Sequence, residues 1–186
     1  MPRHDPELIR DGIQFASKEE VEFHLFLKDC ELYGLVKGVS YQPETFELIP
    51  PHKVLVTKQL KTKKKLVERS VFLAHKYTPD WQFSVTGKFR ELPHGLLVNE
   101  VKRPGTILVD VKGNHNLHGG DRVFPIHQKM MWHLKKLYVN KLIPQEFFKT
   151  IGFCPDEIRW MKNRKKPTKR KPFLKVKSFE EYFSKP

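Results

Sequence analysis

Two short segments hold residues whose types and spacing could do chemistry: the triplet Asp110-Val111-Lys112 and the pair Pro79-Asp80. On a strand, residues i and i+2 project from the same face, so Asp110 and Lys112 are expected to share one side. Asp80, arriving from a neighbouring strand, would add a second carboxylate. Paired hard oxygen donors with room for water suit Mg²⁺, with Mn²⁺ able to substitute, better than zinc. Such an ion lowers the pKa of a bound water and stabilises charge on a phosphate. A lysine beside it orients or activates that water, or offsets charge in the transition state. An Asp-x-Lys triplet alone occurs by chance in many chains. The bland alternative is an ion pair between Asp110 and Lys112 on an edge strand, with Asp80 in a turn.

Read together, Tyr77-Thr78-Pro79-Asp80-Trp81 and Val109-Asp110-Val111-Lys112-Gly113 resemble the paired signature of the PD-(D/E)XK nuclease superfamily. In weaker form the resemblance runs from about Ser17 to Pro144. Ser17-x-x-Glu20-x-x-Phe23-x-x-x-Leu27 is similar to the first helix of phage-type Holliday-junction endonucleases and TnsA-like transposon-end nucleases, where a helix glutamate joins the metal site. Tyr41-Gln42-Pro43 resembles the strand that follows that helix. Gln128 and Lys129 fall where related nucleases keep a polar side chain facing the site.

The resemblance implies an α/β, restriction-endonuclease-like fold with a central mixed β-sheet flanked by helices. It also implies Mg²⁺-dependent hydrolysis of DNA phosphodiester bonds by Asp80, Asp110, Lys112 and Glu20, with Asp80, Asp110, Val111 and Glu20 around the metal. Two features depart from the pattern. The 29 residues between Asp80 and Asp110 exceed the short hairpin of the simplest members, which implies an extra hairpin near 86–101, and Asp110 stands where many relatives have Glu. Ser17-x-x-Glu20 is equally a capping box, in which Glu20 satisfies backbone donors. Glu19 is a less favoured ligand.

Charge points to the same class of partner. The chain carries 35 Lys and Arg against 21 Asp and Glu, a formal net charge of +14. An excess of that size attracts polyanions and releases counterions from phosphates. The expected DNA contacts are Lys61, Lys63, Lys64 and Lys65 in one basic run, His115, His118 and Arg122 in the loop after the triplet, and Lys129. Arg164, Lys165, Lys166, Lys169, Arg170 and Lys171 in a Pro-interrupted C-terminal tail complete the set, although a charge run is often only a solvated tail. Compact size with no sequence-reading module fits structure-selective cleavage of branched or Holliday-junction DNA from a phage or mobile element. A homodimer then follows from two symmetric cuts. A TnsA-like nuclease would instead need a partner transposase, and a non-catalytic nucleic-acid-binding module would leave the acids in ordinary ion pairs.

The elements that must position these residues can be read in outline. At 186 residues, 39% of them hydrophobic, the chain fits one domain, with boundaries expected at 1–15 (lead-in), 16–160 (nuclease-like domain) and 161–186 (basic tail). Ser17 is a natural N-cap, and Phe23, Phe26, Leu27, Cys30 and Tyr33 describe one helix face ending near Gly34. Extended segments are expected at 41–48, 52–60, 66–85 and 96–101, and an apolar central strand at 106–113. An amphipathic helix is expected from Pro125 to Val139, with His127 and His133 exposed upon it. No stretch approaches the roughly 20 apolar residues of a membrane span. Two cysteines offer no disulfide framework. A cytoplasmic location (the host cytoplasm, if phage-encoded) is the expectation.

Overall fold

The computed structural model describes residues 6–113, 122–160 and 168–184. It is a mixed α/β structure. Residues 6–15 do not form the irregular lead-in expected. They make a short hairpin, β1 (Ile9–Arg10) with β2 (Ile13–Gln14), and deliver Phe15 to the core against Tyr41 and Trp81. The first helix, α1 (Lys18–Leu32), begins where the sequence indicates: Ser17 Oγ accepts the Glu20 amide at 3.2 Å. Phe23, Phe26, Leu27 and Cys30 are its buried face. The helix stops at Gly34, whose φ of +66° is a conformation glycine enters without steric cost.

The strands that follow are β3 (Val36–Tyr41), β4 (Phe46–Ile49), β5 (His52–Gln59), β6 (Lys64–Phe72), β7 (His75–Tyr77) and β8 (Trp81–Val85). Next come a single helical turn, α2 (Gly87–Arg90), and the central strand β9 (Thr106–Val111). The chain continues through α3 (Phe124–Met130), β10 (Val139–Leu142), α4 (Pro144–Ile151), α5 (Asp156–Arg159) and α6 (Phe179–Phe183). The main sheet has the order β10-β9-β8-β3. The β3–β8 and β8–β9 pairs are antiparallel, and β10 runs parallel to β9. β4–β7 and β5–β6 form separate two-stranded sheets.

Every residue of β9 is buried, so the strand is covered on both faces. Ile107, Val109 and Val111 face the larger core with α1 and α4, among Trp81, Phe83, Phe147 and Phe148. Leu108 faces a smaller core of Phe46, Leu48, Tyr77, Phe124, Met131, Leu137 and Val139. By strand alternation Asp110 and Lys112 lie on this second face.

Three expectations are corrected. No hairpin forms at 86–101. After α2 the chain is irregular and makes one isolated bridge, Asn99 to Thr106. Side-chain amides hold it in place of a ladder. Asn140 bonds both the N–H and the C=O of Leu97, and Asn99 does the same for Tyr138 while also donating to the Thr106 carbonyl. The helix expected to run to Val139 ends earlier, widening into a π-turn at Met131–Lys135 and stopping at Lys136 with φ +56°. Val139 instead begins β10, paired to Leu108.

The third correction concerns the C-terminus. Phe173, Val176 and Phe179 are buried in the larger core, so packing does not end at 160. Arg159, 1% exposed, pairs with Asp156 and with Glu181 at 2.8 Å, pinning α6. Truncating a fully buried Phe leaves a cavity that costs about 3–5 kcal/mol. Phe173→Ala should lower unfolding stability by that amount in a urea titration. A loosely attached tail would lose less than about 1 kcal/mol. Among the described residues, no helix is long and apolar enough to cross a membrane.

Candidate active site

β8 and β9 bring Asp80, Asp110 and Lys112 together. The register pairs Trp81 with Val109, which sets Asp80, just before β8, beside Asp110. Asp80 is anchored twice: its Oδ2 accepts the Val111 amide at 2.7 Å, and its carbonyl accepts the Gln42 amide at 2.7 Å. Val111, expected near a metal, thus contributes its N–H to Asp80 while its side chain is core.

Asp110 is 4% exposed. Its Oδ2 accepts the Tyr77 hydroxyl at 2.7 Å. Its Oδ1 is buried without a hydrogen-bond partner and is ion-paired with Lys112 Nζ. That ammonium also lies 5.9 Å from the Phe124 ring centroid. Burial, and then the charge of Asp110, push the Asp80 carboxyl up to about 7, with Glu20 adding to the effect and the Val111 amide and Lys112 opposing it. Two neighbouring carboxylates in a partly dry site, one with a buried oxygen opposed only by Lys112, make a donor set that suits a hard divalent cation. The set stops at two, because among the described residues no group of three or more His, Cys, Asp or Glu side chains is arranged to hold a metal.

Glu20 is 6% exposed and engaged by three donors. Oε1 accepts Ser17 Oγ at 3.2 Å, and Oε2 accepts the Ala16 amide at 3.2 Å and the Tyr41 hydroxyl at 2.7 Å. Ser17 Oγ caps the helix by accepting the Glu20 amide, while Glu20 takes the Ala16 amide in place of the Ser17 amide of a reciprocal capping box, and a direct metal bond would require Glu20 to give up those donors. Its charge still reaches Asp80. Glu19, the less favoured residue on sequence grounds, lies nearer the end of the Asp-x-Lys strand. A Cβ built on Gly113 would meet its Oε1 at 3.4 Å.

Three residues missed in the sequence adjoin the site. Tyr77 holds Asp110 from β7, and burial keeps its phenol protonated far above its usual range. Tyr41 holds Glu20 from β3. His127 is half-buried rather than exposed, its ring tilted against that of Tyr77 with centroids 4.6 Å apart and its Nε2 3.0 Å from His75 Nε2, and burial lowers its pKa. Tyr77 stands in the quoted motif, but nothing in its spacing marks a bond to a residue 33 positions away.

The expected DNA contacts are scattered. Lys61, Lys63, Lys64 and Lys65 are exposed at the tip of the β5–β6 hairpin. Arg122 is exposed just before α3. Lys129 is two positions past His127, hence on the opposite side of the helix, at a hollow lined by Leu97, Trp132 and Tyr138. Gln128 bonds the Val139 carbonyl at 2.7 Å rather than facing the carboxylates. Lys169 lies over the Trp160 ring, and Arg170 stacks on Phe173 and pairs with Glu22, so Arg170 braces the fold. Lys171 is exposed. His115, His118, Arg164, Lys165 and Lys166 lie outside the described residues.

Comparison with known protein families, curated proteins and solved structures finds no match to this chain.

Tyr77→Phe leaves Asp110 Oδ2 buried without its donor, a loss of about 1–3 kcal/mol. If Asp110 acts in catalysis, the variant should lose roughly tenfold in activity at neutral pH. A purely structural role for Tyr77 would lower stability and leave the rate of the folded protein unchanged.

Proposed function

We propose that the chain is a metal-dependent endodeoxyribonuclease with a restriction-endonuclease-like fold, hydrolysing phosphodiester bonds in branched DNA. The observation that carries this reading is the convergence of Asp80 and Asp110 from adjacent strands beside Lys112, on a chain of net charge +14. Asp80 and Asp110 are the residues that would hold Mg²⁺ or Mn²⁺. Such an ion supplies an acidified water and a counter-charge for the scissile phosphate. Tyr77 and the Val111 amide hold the two carboxylates in place. Lys112 balances Asp110 in the free protein and, with substrate present, is positioned to donate to a phosphate oxygen or the attacking water. Glu20 acts as a positioning residue, fixing the start of α1 and the Tyr41 hydroxyl.

The preference for branched DNA, with a homodimer making paired cuts, rests on the resemblance and the small size of the chain. A nuclease acting beside a transposase would use the same residues. The non-catalytic reading draws on two of the same contacts, since Lys112 already neutralises Asp110 and Glu20 is fully engaged in capping. Incubation with labelled four-way-junction, duplex and single-stranded DNA, in Mg²⁺, Mn²⁺ or EDTA, separates these. Metal-dependent cuts concentrated at the junction are the expected result. Tight binding with no cleavage in either metal favours the binding module.

A further inference from the structure

The β5–β6 hairpin is a ribbon of 8 and 9 residues, on which only Val56 and Val67 are more than marginally covered. At the usual rise it extends roughly 27 Å. An isolated two-stranded hairpin is marginal in water. This one adds a further burden: Lys58 and Lys65 sit directly opposite each other, a cross-strand pairing of like charges that is destabilising without a counter-charge.

The two faces differ. Register puts Val54, Val56, Lys58, Lys65, Val67 and Arg69 on one face, with three cations and no acid. The other face carries Lys53 and Lys64 together with Glu68, which pairs with Lys53 at 3.2 Å. Among the described residues no ion pair engages Lys58, Lys65 or Arg69. The tip adds Lys61 and Lys63, so residues 52–72 hold seven Lys and Arg against one Glu.

We propose that this ribbon lays its Lys58–Lys65–Arg69 face into the major groove of B-form duplex DNA. The groove is about 12 Å wide and admits a two-stranded β-ribbon, whereas the A-form groove of duplex RNA is too deep and narrow. Phosphates flanking the groove supply the counter-charge that the Lys58–Lys65 pair lacks, and Val56 and Val67 meet the groove floor. The proposal rests on the nucleic-acid reading of the basic charge and is independent of the catalytic one. It assigns the arm to holding duplex flanks, separate from the carboxylates.

The test is binding of the full chain to a 30-base-pair duplex in EDTA, followed by fluorescence anisotropy over a range of salt concentrations. Lys58→Ala/Lys65→Ala/Arg69→Ala should weaken binding about tenfold to a hundredfold and flatten the log K against log salt slope by about 2–3, near 0.9 per lost phosphate contact. Lys53→Ala, on the opposite face, should change affinity less than about threefold. Thermal melts confirm that both variants fold. Equal loss per charge from the two faces would mean a diffuse field, or lysines that merely guard exposed strand edges, and overturns the proposal. So would an equal loss on duplex RNA of the same sequence. A third overturning result is dissociation of a dimer by the triple variant with DNA binding unchanged, which would make the arm a clasp between two copies. Because EDTA silences cleavage, a failed arm test leaves the nuclease reading standing, and a cleavage-dead protein leaves the arm testable.

Discussion

Asp110→Ala should abolish metal-dependent cleavage while leaving affinity for DNA unchanged or higher. On the proposed reading Asp110 is one of two carboxylates that would hold the ion, and it carries the buried oxygen that Lys112 alone opposes. Removing a metal ligand forfeits several kcal/mol of transition-state stabilisation. At 1.36 kcal/mol per tenfold, that is about a thousandfold or more in rate. Binding should move the other way, because the substitution removes a negative charge from the surface proposed to face phosphates and frees Lys112 from its ion pair. The checks are single-turnover cleavage of a four-way junction in Mg²⁺ and anisotropy in EDTA. A variant that still cuts within about threefold of the parent would sink the catalytic assignment.

Asp80→Asn should stabilise the metal-free protein while destroying activity. Burial and the neighbouring Asp110 charge raise the Asp80 carboxyl from 3.8 to about 7. A carboxyl whose folded pKa lies above its unfolded value binds more protons when folded, so stability falls as pH rises from about 4 to about 7. Above that window the full penalty remains. Three units correspond to about 4 kcal/mol at 1.36 kcal/mol per unit, and partial exposure of the group brings this to the order of 2. Asparagine carries no such charge. The gain should therefore be largest near pH 8 and vanish near pH 4, as read by urea unfolding across that range. Millimolar Mg²⁺ should close the gap at pH 8 by stabilising only the parent, since a ligand that binds the folded state alone raises its stability by mass action. If the parent gains nothing from Mg²⁺ or Mn²⁺, the carboxylate pair is not a metal site.

The penalty at Asp80 and the marginal ribbon at 52–72 are of one kind. Each is a local cost in the free chain that a partner of opposite charge would relieve. Stability alone does not favour burying Asp80 beside the charge of Asp110 or setting two lysines opposite each other.

Local pattern in the sequence determined much of this. Helix α1 was legible because its cap, its apolar spacing and its terminating glycine all act within about four residues of one another. The central strand was legible because an unbroken apolar run can be buried only between two layers. The shared side of Asp110 and Lys112 follows from the two-residue period of a strand. What tertiary structure decided were the contacts between distant positions. Phe173, Val176 and Phe179 sit among so many lysines that their stretch reads as a solvated tail, yet each finds a place in the core beside Phe26, Phe148 and Phe153. The expected hairpin at 86–101 was replaced by two asparagines bonding backbone many residues away, a choice no local propensity registers. Glu20 could cap or bind metal on sequence grounds, and the position of Tyr41, 21 residues on, engages it in the cap. Tyr77 became the support for Asp110 only because β7 leaves the main sheet to pair with β4. Residue types and short spacings encode which groups can do chemistry; which of them meet, and how dry their meeting place is, depends on packing between segments far apart in the chain.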